Sequence, residues 1–392
     1  MDNADILVAG GGIAGMSAAA RLAADGHKIV LVDPAPENAP PTDRRTTAYL
    51  QPAIATLGKA EIWDALQAEG APLATMRIID AGGAVREVRE TADFTAQSTG
   101  HDVFGWNIPN IPARAALLNK LQSLPNVRLC LGTGVADYVG RSDCAFVRLT
   151  DGEQVKARLV VAADGRHSTL RSLAGIDVRR WEYGQHAQVF SVKHSSPHDG
   201  VSTEIHRTGG PLTLVPMPDH DGKPCSAVVW MTRSARAMRL KSLSDTDIAT
   251  ELTAETMGLF GPLNIAGPRA TWPIISQYAR RLIAKRLVLI AEAAHVMPPI
   301  GAQGLNTSLH DVETLAGLID NQDDPGEQSI LERYQRHILP RTKARIAGID
   351  LLNRAALAQA QPLRDLRRAG LSMLSRFGPL KALATRAGMG VS

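Results

Sequence analysis

Residues 5–33 read DILVAGGGIAGMSAAARLAADGHKIVLVD, and the fold follows from how this stretch is read. An apolar strand (Ile6 to Val8) runs into Gly10-Gly11-Gly12-Ile13-Ala14-Gly15, a G-x-G-x-x-G turn opening a helix of small residues, Met16 to Ala24. A second apolar strand, Lys28 to Val32, ends in Asp33. Gly10 allows the tight turn, Gly12 lets a pyrophosphate touch backbone, and Gly15 permits close helix–strand packing. The bare N–H groups at the helix start and the helix dipole favour negative charge there. Asp33 stands where an acid accepts hydrogen bonds from a ribose 2′-OH, which disfavours NADP at this turn. A merely structural glycine turn is the bland alternative; the flanking strands, the helix and the distal acid weigh against it. NAD and FAD both fit this unit taken alone.

A second stretch of the same physical kind lies late in the chain. Residues 287–311 read LVLIAEAAHVMPPIGAQGLNTSLHD. A buried-type strand ends in Ala291-Glu292-Ala293, a rigid Pro298-Pro299 follows, and Gly301, Gly304 and Asn306 open an amphipathic helix. Bare N–H groups at this helix start make the turn, with Glu292, Pro299, Gly301, Gln303, Gly304, Leu305 and Asn306 along it, a candidate for holding a ligand. Two anion-cradling turns suit one long, doubly anionic ligand held at both ends. FAD fits, with its pyrophosphate at the first turn and its reduced isoalloxazine at the second. No His, Lys or Tyr stands in a clear nicotinamide-dehydrogenase setting.

Composition narrows the class. The 392 residues are 44% hydrophobic and 21% charged, with a net charge of +4, which describes a globular chain long enough for a large core. No basic run interleaved with aromatics points to nucleic acid. Three cysteines, Cys130, Cys144 and Cys225, form no CxxC and argue for a reducing compartment. The histidines, His295 among them, are scattered, so no metal site is expected. The first apolar stretch is broken by glycines and lacks a basic leader, unlike a signal peptide. No apolar run reaches the about 18 residues of a membrane span. A cytoplasmic protein, at most peripheral to a membrane, is the expectation.

Along the chain, residues 53–68 and 112–124 show helical spacing, and 126–161 alternate like short strands. Residues 185–232 are strand-rich with turn signals at His198-Asp199-Gly200, Thr208-Gly209-Gly210 and Asp219–Gly222, as in an antiparallel sheet. Residues 281–290 return to a buried strand, and the chain beyond Gly304 reads as helix with a break at Asp323–Gly326. The expected fold is α/β: a split Rossmann-like FAD-binding domain, an antiparallel-sheet substrate domain and C-terminal helices. The parts fall at 1–75, 105–180 and 276–325 for the FAD-binding domain, 76–104 and 181–275 for the substrate domain, and 326–392 for the helical region.

Three motifs in order resemble the flavin-dependent aromatic hydroxylases of the para-hydroxybenzoate hydroxylase fold. They are the turn at Gly10–Gly15, the stretch Leu159-Val160-Val161-Ala162-Ala163-Asp164-Gly165-Arg166-His167-Ser168, and Glu292–Asn306. Within that family the chain is most similar to the ubiquinone-biosynthesis hydroxylases. Asp43-x-Arg45-x-x-Ala48 resembles their early arginine motif, and Gly210-Pro211-Leu212 to Pro216 their Gly-Pro-Leu strand. Tyr334 and Asn353 lie in a C-terminal helical region of the right kind. One departure stands out: the family usually has Gly-Asp where this chain has Ala291-Glu292. Glutamate keeps the acceptor, so the resemblance implies that Glu292 still bonds the cofactor.

The resemblance implies that Asp164 faces the nucleotide; by itself the residue reads equally as a helix N-cap before Ser168. Arg45 and Arg114 are surface cations by default, and their motif context makes them candidates for phosphate contacts. The implied activity is ring hydroxylation of a polyprenylated phenol, with NAD(P)H reducing FAD and O₂ supplying the oxygen. A hydroxylase of an unrelated small aromatic, or a flavin-binding scaffold in an assembly, stays open. The residues name no catalytic acid or base. The segment from Pro362 to Ser392 carries Arg364, Arg367, Arg368, Arg376, Lys381 and Arg386 against Asp365, with Leu366, Leu371, Met373, Leu374, Phe377 and Leu380 as an apolar stripe. It reads either as a helix packed on its own protein or as a dock for an anionic membrane or a partner enzyme.

Overall fold

The strand Asp2–Ala9 is central to a parallel sheet because its apolar side chains are buried on both faces, Ile6, Leu7 and Val8 being fully enclosed. In the computed structural model, which describes residues 2–39, 43–207, 209–358 and 360–376, this strand pairs in parallel with Ile29–Asp33 on one side and Gln154–Ala162 on the other. Val127–Leu131 extends the sheet beyond Ile29–Asp33, and Leu287–Leu289 extends it beyond Gln154–Ala162. The two late strands thus return to the N-terminal unit after long excursions. The last one differs from the expected run over 281–290. The chain reverses at Arg286, whose φ is +62°, so Ile283–Ala284 and Leu287–Leu289 form an antiparallel hairpin.

The second sheet is nine-stranded and almost wholly antiparallel. Its order is His295–Val296, Ala270–Ala279, Val178–Lys193, Lys223–Arg233, Pro211–His220, Val201–His206, Thr75–Asp80 and Glu90–Thr95, with Asn264–Ile265 beside Val178–Lys193. Period-two alternation divides its residues between two environments. Phe190, Ile205, Leu214, Val228 and Ile79 join a core closed by Leu240, Ile248 and Leu252, which come from the helices Ser234–Ser242 and Asp245–Glu255. Their sequence neighbours Val189, Glu204, Val215, Val229 and Ile78 line a cavity on the opposite face. A third sheet, Thr46–Leu50, Gly105–Pro109 and Ala71–Leu73, was not anticipated. Nor were the two helices over 234–255.

The helix Gln303–Ile319 packs against the helix Ile13–Ala24 and the strand Thr46–Leu50, and Gln328–Leu357 and Gln361–Arg376 follow. The last helix turns Leu371 into a cluster with Phe94 and Phe104. Two of its cations also point inward: Arg367 bonds Asp80, and Arg364 has a buried Nε. Leu363, Leu366 and Met373 are left exposed. Leu374 and Arg376 have undescribed side chains, and Thr208, Phe377, Leu380, Lys381 and Arg386 lie outside the described residues.

Arg286 ties three segments together. Its guanidinium, 6% exposed, bonds the carbonyls of Ser142 and Arg158 and the carboxylate of Asp324. Burial alone would raise the Asp324 pKa; the Arg286 hydrogen bond and the Gly326 N–H outweigh it and hold the carboxyl below its ordinary range. The stabilisation from this pair is therefore present above the unfolded carboxylate pKa of about 3.9 and lost as pH falls through the lower folded value. Replacing Arg286 by Ala removes the partner of two carbonyls and of a part-exposed carboxylate, and a loss of about 1–3 kcal/mol is expected in denaturant unfolding at pH 7. The difference between wild type and variant should shrink in acid. Equal midpoints at pH 7 would refute the strut.

Candidate active site

The first glycine turn is built from backbone contacts that leave no room for side chains. Gly10 has φ +117°, and a Cβ there would stand 2.3 Å from the carbonyl oxygen of Ala163. A Cβ on Gly15 would stand 1.9 Å from the Gly10 oxygen. Gly12, the N-cap of the helix Ile13–Ala24, differs: a Cβ there meets nothing within 4 Å. It borders open space, and no side chain caps the helix. The Gly11 N–H donates to Asp33 Oδ2, and Asp33 Oδ1 accepts from the Ala35 N–H at 2.8 Å. Asp33 is thus fixed beside the turn.

The strand Gln154–Ala162 delivers Asp164 to the same place. Its Oδ2 accepts from the Leu170 N–H at 3.1 Å, while its Oδ1 is buried without a hydrogen-bond partner among the described residues. Ser168 is the true N-cap of the short helix, accepting from the Arg171 N–H at 2.9 Å. An orphaned carboxylate oxygen beside an open glycine turn calls for a donor from a bound molecule.

The second turn begins at Ala291, whose φ of +54° lies in the left-handed region. The resembled family carries glycine at this position, and alanine pays about 1–2 kcal/mol for the same conformation. Glu292 Oε2 lies 3.4 Å from Arg166 Nε. Arg45 is gripped by Asp43 at 2.7 and 2.8 Å and stacks 5.6 Å from the Trp272 ring centroid. Its pKa is raised, first by the Asp43 hydrogen bond and, against burial, by the charges of Asp43 and Glu292. The loop continues through Pro299 and Gly301 to Ala302, itself left-handed at φ +55°, which starts the helix Gln303–Ile319 with no capping side chain. Gly304 and Leu305 fall in that first turn, where N–H groups have no intrahelical acceptor.

A cavity of about 810 Å³ joins the two turns. Gly12, Ile13, Ala14 and Gly15 border it from one side, Arg45 and Glu292 from another. Pro299, Gly301, Gln303, Gly304 and Leu305 close the second turn around it. Gly10, Asp33, Asp164, Arg114 and Asn306 are not among the lining residues. Arg114 sits half-buried on the helix Asn110–Ser123. The Asn306 side chain is spent inside the protein, donating to Ala48 and Ala302 carbonyls and accepting from the Leu50 N–H. His295 also borders the cavity, with Nε2 2.6 Å from Asp311 Oδ2 and both side chains 1% exposed. Tyr334 and Asn353 are buried partners of the Leu289 carbonyl and of Gln185. No cluster of metal-ligating side chains occurs among the described residues. Sequence reasoning missed Arg166, Trp272 and Glu204.

A cavity with two glycine turns and an orphaned acid defines a dinucleotide-binding flavoprotein, and the chain belongs to the FAD binding domain family, which matches residues 3–347. It is 33% identical to the ubiquinone hydroxylase UbiL of Rhodospirillum rubrum, over 99% of this chain and 90% of that one. It is 27% identical to the 3-demethoxyubiquinol 3-hydroxylase of Escherichia coli, over 99% and 98%. Among solved structures it is similar to p-nitrophenol 4-monooxygenase from Pseudomonas putida, with a TM-score of 0.81 at 17% identity, covering 99% of each chain.

The two glycines give opposite expectations. Gly12→Val should fold with a thermal midpoint near that of flavin-free wild type yet release no flavin on acid treatment, because its side chain fills the open space. Gly15→Ala should unfold earlier, since the clash with backbone costs on the order of 1–3 kcal/mol. Stoichiometric flavin in the Gly12 variant would place the dinucleotide elsewhere.

Proposed function

We propose that this protein is an FAD-dependent monooxygenase that hydroxylates the aromatic ring of a polyprenylated phenol in ubiquinone biosynthesis. The observation that carries the reading is the continuity of the cavity. It runs from the glycine turns to an apolar sheet face made by Met76, Ile78, Phe94, Val189, Val215 and Val229. Such a wall suits a ring with a hydrocarbon tail better than a small polar acid.

In this reading the N–H groups at Gly12, Ile13 and Ala14 take the pyrophosphate. Asp33, held by the Gly11 N–H, takes the adenosine ribose, and the free Oδ1 of Asp164 accepts from the cofactor. Arg45 and Arg114 serve the phosphates, and Glu292 accepts from the ribityl chain. The residues from Pro299 to Leu305 set N–H groups against the flavin edge where negative charge resides on reduction. Asn306 acts indirectly, by fastening that helix to the strand Thr46–Leu50. When bound and reduced by NAD(P)H, the flavin supplies the oxygen-transfer chemistry with O₂; the protein orients the ring and keeps water out. In this reading the cofactor lies toward the parallel sheet and the substrate toward the antiparallel one.

The purified protein should carry non-covalent FAD and form one hydroxylated prenylphenol per NAD(P)H oxidised at full coupling. Product analysis by mass spectrometry checks this. Flavin reduction with no hydroxylated product from any prenylated phenol would defeat the reading.

Delivery of such a substrate favours a peripheral membrane contact. No helix among the described residues is long and apolar enough to cross a bilayer. Leu351 and Leu352 are 69% and 58% exposed, Leu363, Leu366 and Met373 are exposed on the following helix, and Leu352 also lines the cavity. Because Arg364 and Arg367 point inward, this contact should rest on apolar insertion more than on charge. Flotation with liposomes should capture the protein, with weak dependence on salt, and Leu351→Ser/Leu352→Ser should abolish capture. Capture lost entirely at moderate salt would point to an electrostatic dock instead.

A further inference from the structure

We infer that Glu204, steadied by His206, receives the phenolic hydroxyl of the ring substrate and takes its proton during hydroxylation. The inference rests on the function proposed above and names the residue that reading lacked. Six ionisable side chains line the cavity among the described residues: Asp43, Arg45, Arg166, Glu204, Glu292 and His295. Five are engaged near the cofactor turns, in the Asp43–Arg45, Arg166–Glu292 and His295–Asp311 pairs. Glu204 alone comes from the far side, on the strand Val201–His206.

Its neighbours on that wall carry no charge: Ile78, Ser202, Thr213 and Val215 line it there. Alternation along the strand turns Ser202 and Glu204 to the cavity while Thr203 and Ile205 turn away, Ile205 into the core. The neighbouring strands set Ile78 and Thr213 opposite Glu204, and both line the cavity. His206 Nε2 lies 2.6 Å from Glu204 Oε1. The other oxygen, Oε2, has no hydrogen-bond partner among the described residues. His206 Nδ1 is buried and equally without a partner. The tautomer that donates from Nε2 leaves Nδ1 a bare acceptor and buries no unpaired donor. His206 is fixed in turn from behind: Asp80 lies opposite it in register, bonded to Arg89 and Arg367, and Arg367 Nη2 donates to the His206 carbonyl at 3.3 Å. One carboxylate oxygen is thus committed and the other offered to a donor, on a wall with no other ionisable side chain among the described residues.

A phenol supplies that donor. Its O–H bonds to Oε2; as oxygen is transferred, this bond breaks and the proton passes to the carboxylate. The electron pair stays on the phenolate oxygen and feeds the ring carbon under attack. When that carbon loses its own proton to solvent and aromaticity returns, Glu204 gives its proton back to the phenolate oxygen. The carboxylate ends as it began, and the oxidant and reductant are the O₂ and NAD(P)H of the overall reaction.

The test uses the FAD-loaded protein, a short-chain prenylphenol and its O-methyl ether, titrated by the change in flavin absorbance. Wild type should bind the phenol at least tenfold more tightly than the ether, as expected for a hydrogen bond to a charged acceptor. Glu204→Ala should bring the ratio to near one. The isosteric Glu204→Gln, which keeps an acceptor but no base, should retain part of the preference while product formed per NAD(P)H falls more than tenfold. An unchanged ratio in Glu204→Ala, or full coupling in Glu204→Gln, with wild-type flavin content, would overturn the role of Glu204 alone. Failure of wild type to bind either compound would overturn the proposed function and this inference with it.

Discussion

The contact on which the rest of the structure depends is backbone against backbone at the first turn. Gly15 has no Cβ because the Gly10 oxygen occupies its place, and Gly10 has none because the Ala163 carbonyl does. This stacking brings the end of Gln154–Ala162 against the mouth of Asp2–Ala9, and the Ala163 N–H seals it by donating to the Ala9 carbonyl at 2.8 Å. The Ile290 N–H then bonds the Ala162 carbonyl at 3.0 Å. Three adjacent parallel strands therefore end together, and the loops beyond them carry Gly12, Asp164 and Glu292. Ligands of open α/β sheets bind outside the carboxyl ends of the strands, and here that edge is set by two missing Cβ atoms.

What was legible from sequence follows the same physics. Strands buried on both faces read as apolar runs, so Ile6–Val8, Leu159–Val161 and Leu287–Leu289 stood out. Turns whose chemistry is carried by backbone announced themselves through glycine. Less visible were short edge elements such as Thr46–Leu50 and Ala71–Leu73, whose few residues carry no clear period. The helices Ser234–Ser242 and Asp245–Glu255 were hidden for another reason: only Ala237, Leu240, Ile248, Leu252 and Glu255 are buried in them, too sparse a stripe beside a strand-rich stretch. Arg286 shows how a turn can escape an apolar run, since its reversal is stabilised by distant Ser142, Arg158 and Asp324.

Side-chain partners were the least legible part of the site. Asn306 sits in a motif whose glycines face the cavity, yet its amide closes on Ala48, Ala302 and Leu50, contacts fixed by how the 46–50 strand docks. Glu204 and His206 lie two apart in sequence, an ordinary spacing. Their meaning appears only once the strand register decides which face meets the cavity, and a slip by one residue would exchange that face with the core.

The charge arrangement explains why glycine turns, rather than cations, dominate the cofactor end. Arg45 and Arg166 each already face a carboxylate, Asp43 and Glu292 respectively. A bound dianion can use these guanidinium groups only by sharing them with acids that carry the same sign as itself. The net field of these two guanidinium groups is therefore small, and in the proposed reading binding draws largely on N–H groups and helix dipoles, which bring no counter-charge of their own. Across the cavity the reverse holds. The sheet face there carries no ionisable side chain but Glu204 among the described residues, so that carboxylate acts with no counter-charge except His206 beside it. One end of the cavity is thus suited to holding fixed negative charge, the other to recognising one hydroxyl proton on an apolar ring.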